Sequence, residues 1–159
     1  MGAMNRREMC VSFAGMAAGV AAAAAATGGV TAGAQMPVAA VLAESKVYPF
    51  DQLPVRKMAN GGESRDVLHG MLPTGEAVGV HESMQPAGMV PNPAHAIQHS
   101  EIIMVMEGTL EFYHDGQVER IGPGGIAFVS FGTVHQVKNV GDGALKYAIV
   151  AVGGDIKKG

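Results

Sequence analysis

After residue 43 the chain carries no stretch with the 3.6-residue apolar period of a helix. What recurs instead is a glycine-bearing turn after each run of about five to nine residues. The turns stand at Asn60-Gly61-Gly62, Thr74-Gly75, Glu107-Gly108, Asp115-Gly116 and Gly122-Pro123-Gly124-Gly125. Asp115-Gly116 is the pair that a two-residue type I′ hairpin favours. Strands are predicted over 65–72, 76–84, from 101 onward, and over 109–114, 117–121, 126–130, 134–140 and 144–152. Residues 47–50 read as an edge strand, because Pro49 has no N–H to give a central ladder. Such spacing specifies an antiparallel sandwich or barrel.

Composition narrows the function classes. The 159 residues carry a formal charge of −3 and no run of Lys or Arg, so the basic footprint that nucleic-acid binding needs is missing. Residues 1–34 read as a targeting segment: Arg6 and Arg7 supply the positive start, Val11 to Val30 an Ala- and Gly-rich apolar stretch, and Ala32-Gly33-Ala34 a cleavage site before Gln35. The twin arginines resemble a Tat signal, from which Asn5 and Met9 depart; an ordinary Sec signal is the other reading. Either route predicts a periplasmic or secreted protein with no membrane association after cleavage. The one cysteine, Cys10, falls in this leader, leaving the mature chain no thiol for a disulfide, a nucleophile or a soft metal site. The expected organisation is a leader over 1–34, an N-terminal arm over 35–60 and a β-barrel domain over 61–159.

Chemistry concentrates in residues 95–139, which hold His95, His99, Glu101 and His135. In an extended segment His95, Ile97, His99 and Glu101 would share one face. At roughly 3.3 Å per residue, His95 and Glu101 would then lie about 20 Å apart, too far for a common ion. If the two act on one ion, the chain must reverse between them, with His95 ending one strand, Glu101 opening the next and His135 arriving from a third.

The order His95-x5-Glu101-x6-Gly108, followed by Gly124-x5-Ser130-Phe131-Gly132-x2-His135-x3-Asn139, resembles the two motifs of the cupin superfamily. Those motifs read G-x5-H-x-H-x3/4-E-x6-G and G-x5-P-x-G-x2-H-x3-N, and the resemblance runs from Gly88 to Asn139. Three departures stand out: one extra residue between Gly88 and His95, Ser130 in place of proline, and Ile97 in place of the second histidine. The resemblance implies an all-β, antiparallel double-stranded β-helix, the jelly-roll or cupin barrel. It also implies one divalent transition metal, Fe, Mn, Ni or Zn, at His95, Glu101 and His135. Two imidazoles and a carboxylate make the set associated with non-haem Fe(II) sites.

His99 stands open between three roles: replacement for the ligand missing at Ile97, support for the ligands from behind, or a base facing substrate. Glu101 and His99 are thus the candidate catalytic residues. The expectation is an exported metal-dependent small-molecule enzyme, a dioxygenase-type oxidoreductase in the first instance. A non-catalytic ligand- or metal-binding module and an isomerase or lyase are the alternatives. Cupins that have lost a ligand resemble sugar-binding or isomerase members that need no metal, and buried histidines can simply hydrogen-bond within a core.

Alternation from Glu101 predicts Ile103 and Val105 inward, joined by Ile97, Phe128 and Met side chains in a lining suited to an apolar or aromatic substrate. The absence of Trp argues against a carbohydrate stacking platform. Ile102, Met104 and Met106 fall on the opposite face, and a strand apolar on both faces needs cover on both. A second copy of the chain, giving a homodimer, or the N-terminal arm would supply it. Of the remaining histidines, His114 reads as solvated beside its hairpin, His69 has no evident role, and His81 alone is placed to point into a barrel.

Overall fold

A computed structural model describes residues 41–154. The leader and the first residues of the arm lie outside them. Ten strands follow in chain order: β1 (Val55–Lys57), β2 (Glu63–Met71), β3 (Ala77–Gln85), β4 (His95–Ala96), β5 (Ser100–Glu107), β6 (Leu110–His114), β7 (Gln117–Ile121), β8 (Ile126–Val129), β9 (Val134–Asn139) and β10 (Leu145–Val152). They form a six-stranded sheet, β1-β2-β3-β10-β5-β8, and a four-stranded sheet, β4-β9-β6-β7. Every strand pair is antiparallel. This is the double-stranded β-helix expected from the sequence.

The core follows from the strand pleat. Along β5, Glu101, Ile103 and Val105 are buried, whereas Ile102, Met104 and Met106 are exposed by 37, 37 and 47 %. On β10 the inward set is Leu145, Tyr147, Ile149 and Ala151. Ile103, Leu110, Val129 and Leu145 are fully buried between the sheets. At about 25 cal/mol per Å² of apolar surface, each such side chain contributes on the order of 2 kcal/mol.

Two turns show why the glycines stand where they do. Asp115 and Gly116 both take positive φ, 47° and 79°, as the type I′ hairpin between β6 and β7 demands. Gly108 has φ of 83°, and a Cβ there would meet the Ala144 carbonyl oxygen at 2.6 Å. A side chain is therefore excluded on two grounds.

Residues 47–50 do not form the expected edge strand. Pro49 instead precedes a 3-10 turn at Phe50–Gln52, closed by Gln52 N–H donating to the Pro49 carbonyl at 3.0 Å. Proline's fixed φ suits a turn start as readily as an edge. The Arg65 guanidinium lies 4.4 Å above the Phe50 ring, tying this turn to β2. The edge position is taken by β1, a few residues further on, which pairs Arg56 with Ser64.

The two sheets are stapled at one end by Asn139, the last residue of the second motif. Its Nδ2 donates to the carbonyls of Gln85 at 2.9 Å and Gly143 at 2.8 Å, and its own N–H donates to Gln85 Oε1 at 3.0 Å. Gly141 N–H completes the set on Asn139 Oδ1 at 3.0 Å. Asn139 and Gln85 are both buried, so each of these bonds replaces solvation the backbone has lost.

Candidate metal and ligand site

His95 and His135 stand directly opposite each other on β4 and β9, and their ring centroids lie 4.7 Å apart. A turn places His135: Thr133 N–H donates to the Ser130 carbonyl at 3.1 Å, with Gly132 at φ 78°. Gly132 is the glycine that such a turn needs, and Ser130 serves without the motif's usual proline. The Nδ1 of His135 donates to the Thr133 carbonyl at 3.2 Å, and that of His95 to the Pro93 carbonyl at 3.1 Å. A carbonyl only accepts, so Nδ1 carries the proton in both rings. The lone pair of the neutral form therefore sits on Nε2.

Glu101 is the second residue of β5, in the other sheet. The chain crosses between sheets over residues 97–99, the change of direction that the spacing required. Glu101 is buried, with Oε2 3.7 Å from His135 Nε2. His99 Nε2 donates to the other carboxylate oxygen, Oε1, at 3.0 Å, while its Nδ1 is buried without a partner. Burial holds the His135 imidazole below its ordinary value, against the opposing pull of the Thr133 carbonyl and Glu101. In its neutral form His135 turns the Nε2 lone pair towards a Glu101 oxygen 3.7 Å away. That arrangement is repulsive unless a cation or proton stands between them.

Among the described residues, no three His, Cys, Asp or Glu side chains are drawn into a preformed ion cage. The donor chemistry nevertheless fits a divalent ion: two imidazoles with their tautomers fixed by backbone carbonyls, and a carboxylate held by a second group behind it. Ile97, at the position of the family's second histidine, is buried in the apolar core and offers nothing to an ion. His99 is turned onto Glu101 rather than into the cavity.

These groups border a cavity of about 180 Å³ between the sheets, lined also by Arg56, Ser64, His81, Ser83, Gln85 and Tyr147. Ile103 and Ile149 are among its apolar walls. The expected apolar lining is corrected on several counts. Ile97 and Val105 pack within the core, and Phe128 is 64 % exposed on the outer face. On β8, Val129 pairs with Glu101 and Ala127 with Ile103, so the inward pair is Ala127 and Val129, and Phe128 lies opposite Ile102. His81 does point inward; His69 is exposed, and His114 is engaged by Asp115 and Glu119 at its hairpin. Arg56, Ser64, Gln85 and Tyr147 escaped the sequence reading, because nothing in a lone strand says which cavity it will face.

Burial holds His81 below the ordinary imidazole value, with Glu101 and Asp66 pulling the other way. The unfolded chain gives the same ring a value near 6.5. Below that pH the unfolded state gains a proton that the folded state resists. The stability contributed by neutral His81 is therefore full above 6.5 and declines as pH falls towards the folded value. In chelator-treated protein the melting temperature should drop between about pH 7.5 and about pH 5.5, and less steeply in His81→Asn. Equal slopes in the two proteins would show that His81 is not held neutral by the fold.

Residues 80–152 match the family model of the cupin domain. No curated protein matches the chain in sequence. Among solved structures, the chain is similar to KdgF from Halomonas sp., with TM-score 0.58 and 17 % identity over 68 % of this chain and 94 % of that one. It is similar to a predicted oxalate decarboxylase from Thermotoga maritima, with TM-score 0.57 and 19 % identity over 67 and 98 %. An RmlC-like cupin from Shewanella frigidimarina gives TM-score 0.56 and 18 % identity over 68 and 91 %. Residues 80–152 thus match the cupin domain model, and the described residues share the fold of these structures.

Proposed function

We propose that the chain is a metal-dependent enzyme of the cupin class that acts on a small oxygen-bearing molecule in the cavity between its sheets. The observation that carries this reading is the 3.7 Å approach of Glu101 Oε2 to His135 Nε2, a pair that a bound cation or a shared proton would satisfy. His95, Glu101 and His135 would hold the ion. Once bound, it would supply Lewis acidity towards a substrate oxygen and, if redox-active, electrons for chemistry with O₂. His99 keeps Glu101 aimed by holding Oε1, which makes it a positioning residue in this reading. His81, neutral at pH 7 and facing the same cavity, is placed to take a proton from a bound molecule.

Dioxygenase-type oxidation is the finer reading, supported by the donor set of two imidazoles and one carboxylate with Ile97 leaving a position open. Isomerase or lyase chemistry is the second reading. The polar cavity favours it, because proton transfer needs a base such as His81 and hydrogen-bonding walls. That the homologous fold also serves a predicted oxalate decarboxylase gives neither reading an advantage.

Export and self-association belong to the same proposal. Ile102 pairs with Phe128 and with Val150, and Met104 with Ile126 and Ala148, so these outward side chains form a continuous apolar strip across β8, β5 and β10. Phe128 and Ile126 are 64 and 63 % exposed there. A second copy covering this strip gives a homodimer with Met104 and Met106 at or near the contact. Phe50 borders the same surface cavity as Met84 and Met106 at one end of the strip. Exported protein should begin at Gln35 by intact mass and scatter light as a dimer at micromolar concentration; an uncleaved chain or a monomer removes the corresponding claim.

Turnover tests the enzymatic reading. With the ion supplied, Glu101→Gln should lower the rate at least about 100-fold while the melting temperature changes little. Substrate consumption matched by O₂ uptake supports the dioxygenase, and consumption without uptake supports the isomerase or lyase. Undiminished turnover in Glu101→Gln contradicts the assignment of the site.

A further inference from the structure

The inner face of the six-stranded sheet carries a polar rung where a barrel core would ordinarily be apolar. Arg56 on β1 pairs with Ser64 on β2, Ser64 with Ser83 on β3, and Ser83 with Tyr147 on β10. Residues directly opposite in antiparallel strands point to the same side, so the four side chains form one row across four strands. All four line the cavity. Ser64 is 5 % and Tyr147 7 % exposed, so the row is sunk into the protein except at its Arg56 end.

Placing polar groups in such a row costs stability unless each is satisfied. Tyr147 Oη accepts from Gln85 Nε2 at 3.2 Å, and Gln85 is itself fixed by the staple at Asn139. Among the described residues Arg56, like Lys46 and Lys57, has no carboxylate partner, whereas Arg65 pairs with Glu63, Arg120 and Lys138 with Glu111, and Lys146 with Glu107. What sets Arg56 apart is its place in the cavity wall. The cavity-side cation thus stands ready for a charge brought from outside.

We propose that this rung reads the substrate: Arg56 binds a carboxylate at the open end of the cavity, and the hydroxyls of Ser64, Ser83 and Tyr147 bind oxygens further in. The substrate class is then a small hydroxy- or keto-carboxylate. A planar guanidinium matches a carboxylate by two parallel hydrogen bonds, which a neutral amide cannot reproduce. Charge at the opposite wall points the same way. A divalent ion held by His95, His135 and Glu101 would outweigh the one carboxylate there, and both ends of the cavity would then favour an anion. The inference rests on the proposed function for where the chemistry occurs, but the rung belongs to the chain with or without an ion.

The test is calorimetric titration of the purified full-length protein, metal-loaded and chelator-treated in parallel. The probes are a panel of two- to six-carbon hydroxy- and keto-carboxylates and the matching neutral amides. At least one carboxylate should bind, its amide should not, and Arg56→Gln should weaken binding about tenfold or more in both preparations with an unchanged melting temperature. Arg56→Lys, which keeps the charge but loses the fork, should fall between the two proteins. The same Arg56 dependence in a protein that never takes up metal would support the rung and refute the metal-dependent reading. Carboxylate binding that needs metal but ignores Arg56 would overturn the rung and leave that reading standing. Equal binding of acid and amide, or no binding by any member of the panel, also overturns it.

Discussion

Glu101 Oε2 and His135 Nε2 approach to 3.7 Å from different sheets, and the candidate site depends on that approach. Left alone, a carboxylate oxygen and an imidazole lone pair would drift apart or share a proton. Here each is pinned from behind, Glu101 by His99 at 3.0 Å and His135 by the Thr133 carbonyl at 3.2 Å. The two come from different sheets, so their separation is a property of how the sheets are joined. Fully buried Ile103 and Leu145 clamp the sheets together, and the bonds between Asn139 and Gln85 lock one end of them.

The strand map was largely legible because glycines in turns obey local sterics. Asp115-Gly116 and Gly132 could be placed without knowing any long-range contact. His95, Glu101 and His135 were read from motif spacing; His95 stands opposite His135 across β4 and β9, and Glu101 approaches His135 from the other sheet. The failures share one cause, which is that a strand's register with its neighbour is set by tertiary pairing. Phe128 was phased inward by alternation alone, yet β8 meets β5 with Val129 opposite Glu101, which turns Phe128 out. Arg56 lies in a segment that showed no chemistry at all, and only its pairing with buried Ser64 gives it a cavity to face. His99 had three possible roles in the sequence, and a single hydrogen bond to Glu101 now favours one of them.

The division of labour between faces follows from the pleat. The outer face of β5 and β8 is apolar and exposed at Met104, Ile126 and Phe128, a surface of the kind that marks an interaction site. The inner face grades from a dry apolar core around Leu110 and Val129 to a polar cavity around Tyr147 and Ser83. Buried Ser64 and Tyr147, half-buried Ser83 and an arginine with no carboxylate partner among the described residues add little to folding that apolar residues would not supply better. Their presence in one aligned row is understandable as recognition of a ligand. The uncapped Nδ1 of His99 fits the same pattern of polar groups retained for a site at some expense to the core.

Elemental analysis of protein purified without a metal-affinity tag, beside a His95→Ala/His135→Ala double variant, tests the central claim most directly. The account predicts about one equivalent of Fe, Mn, Ni or Zn in the wild type and none in the variant. No metal in either protein after growth with these metals supplied, or equal amounts in both, would contradict it.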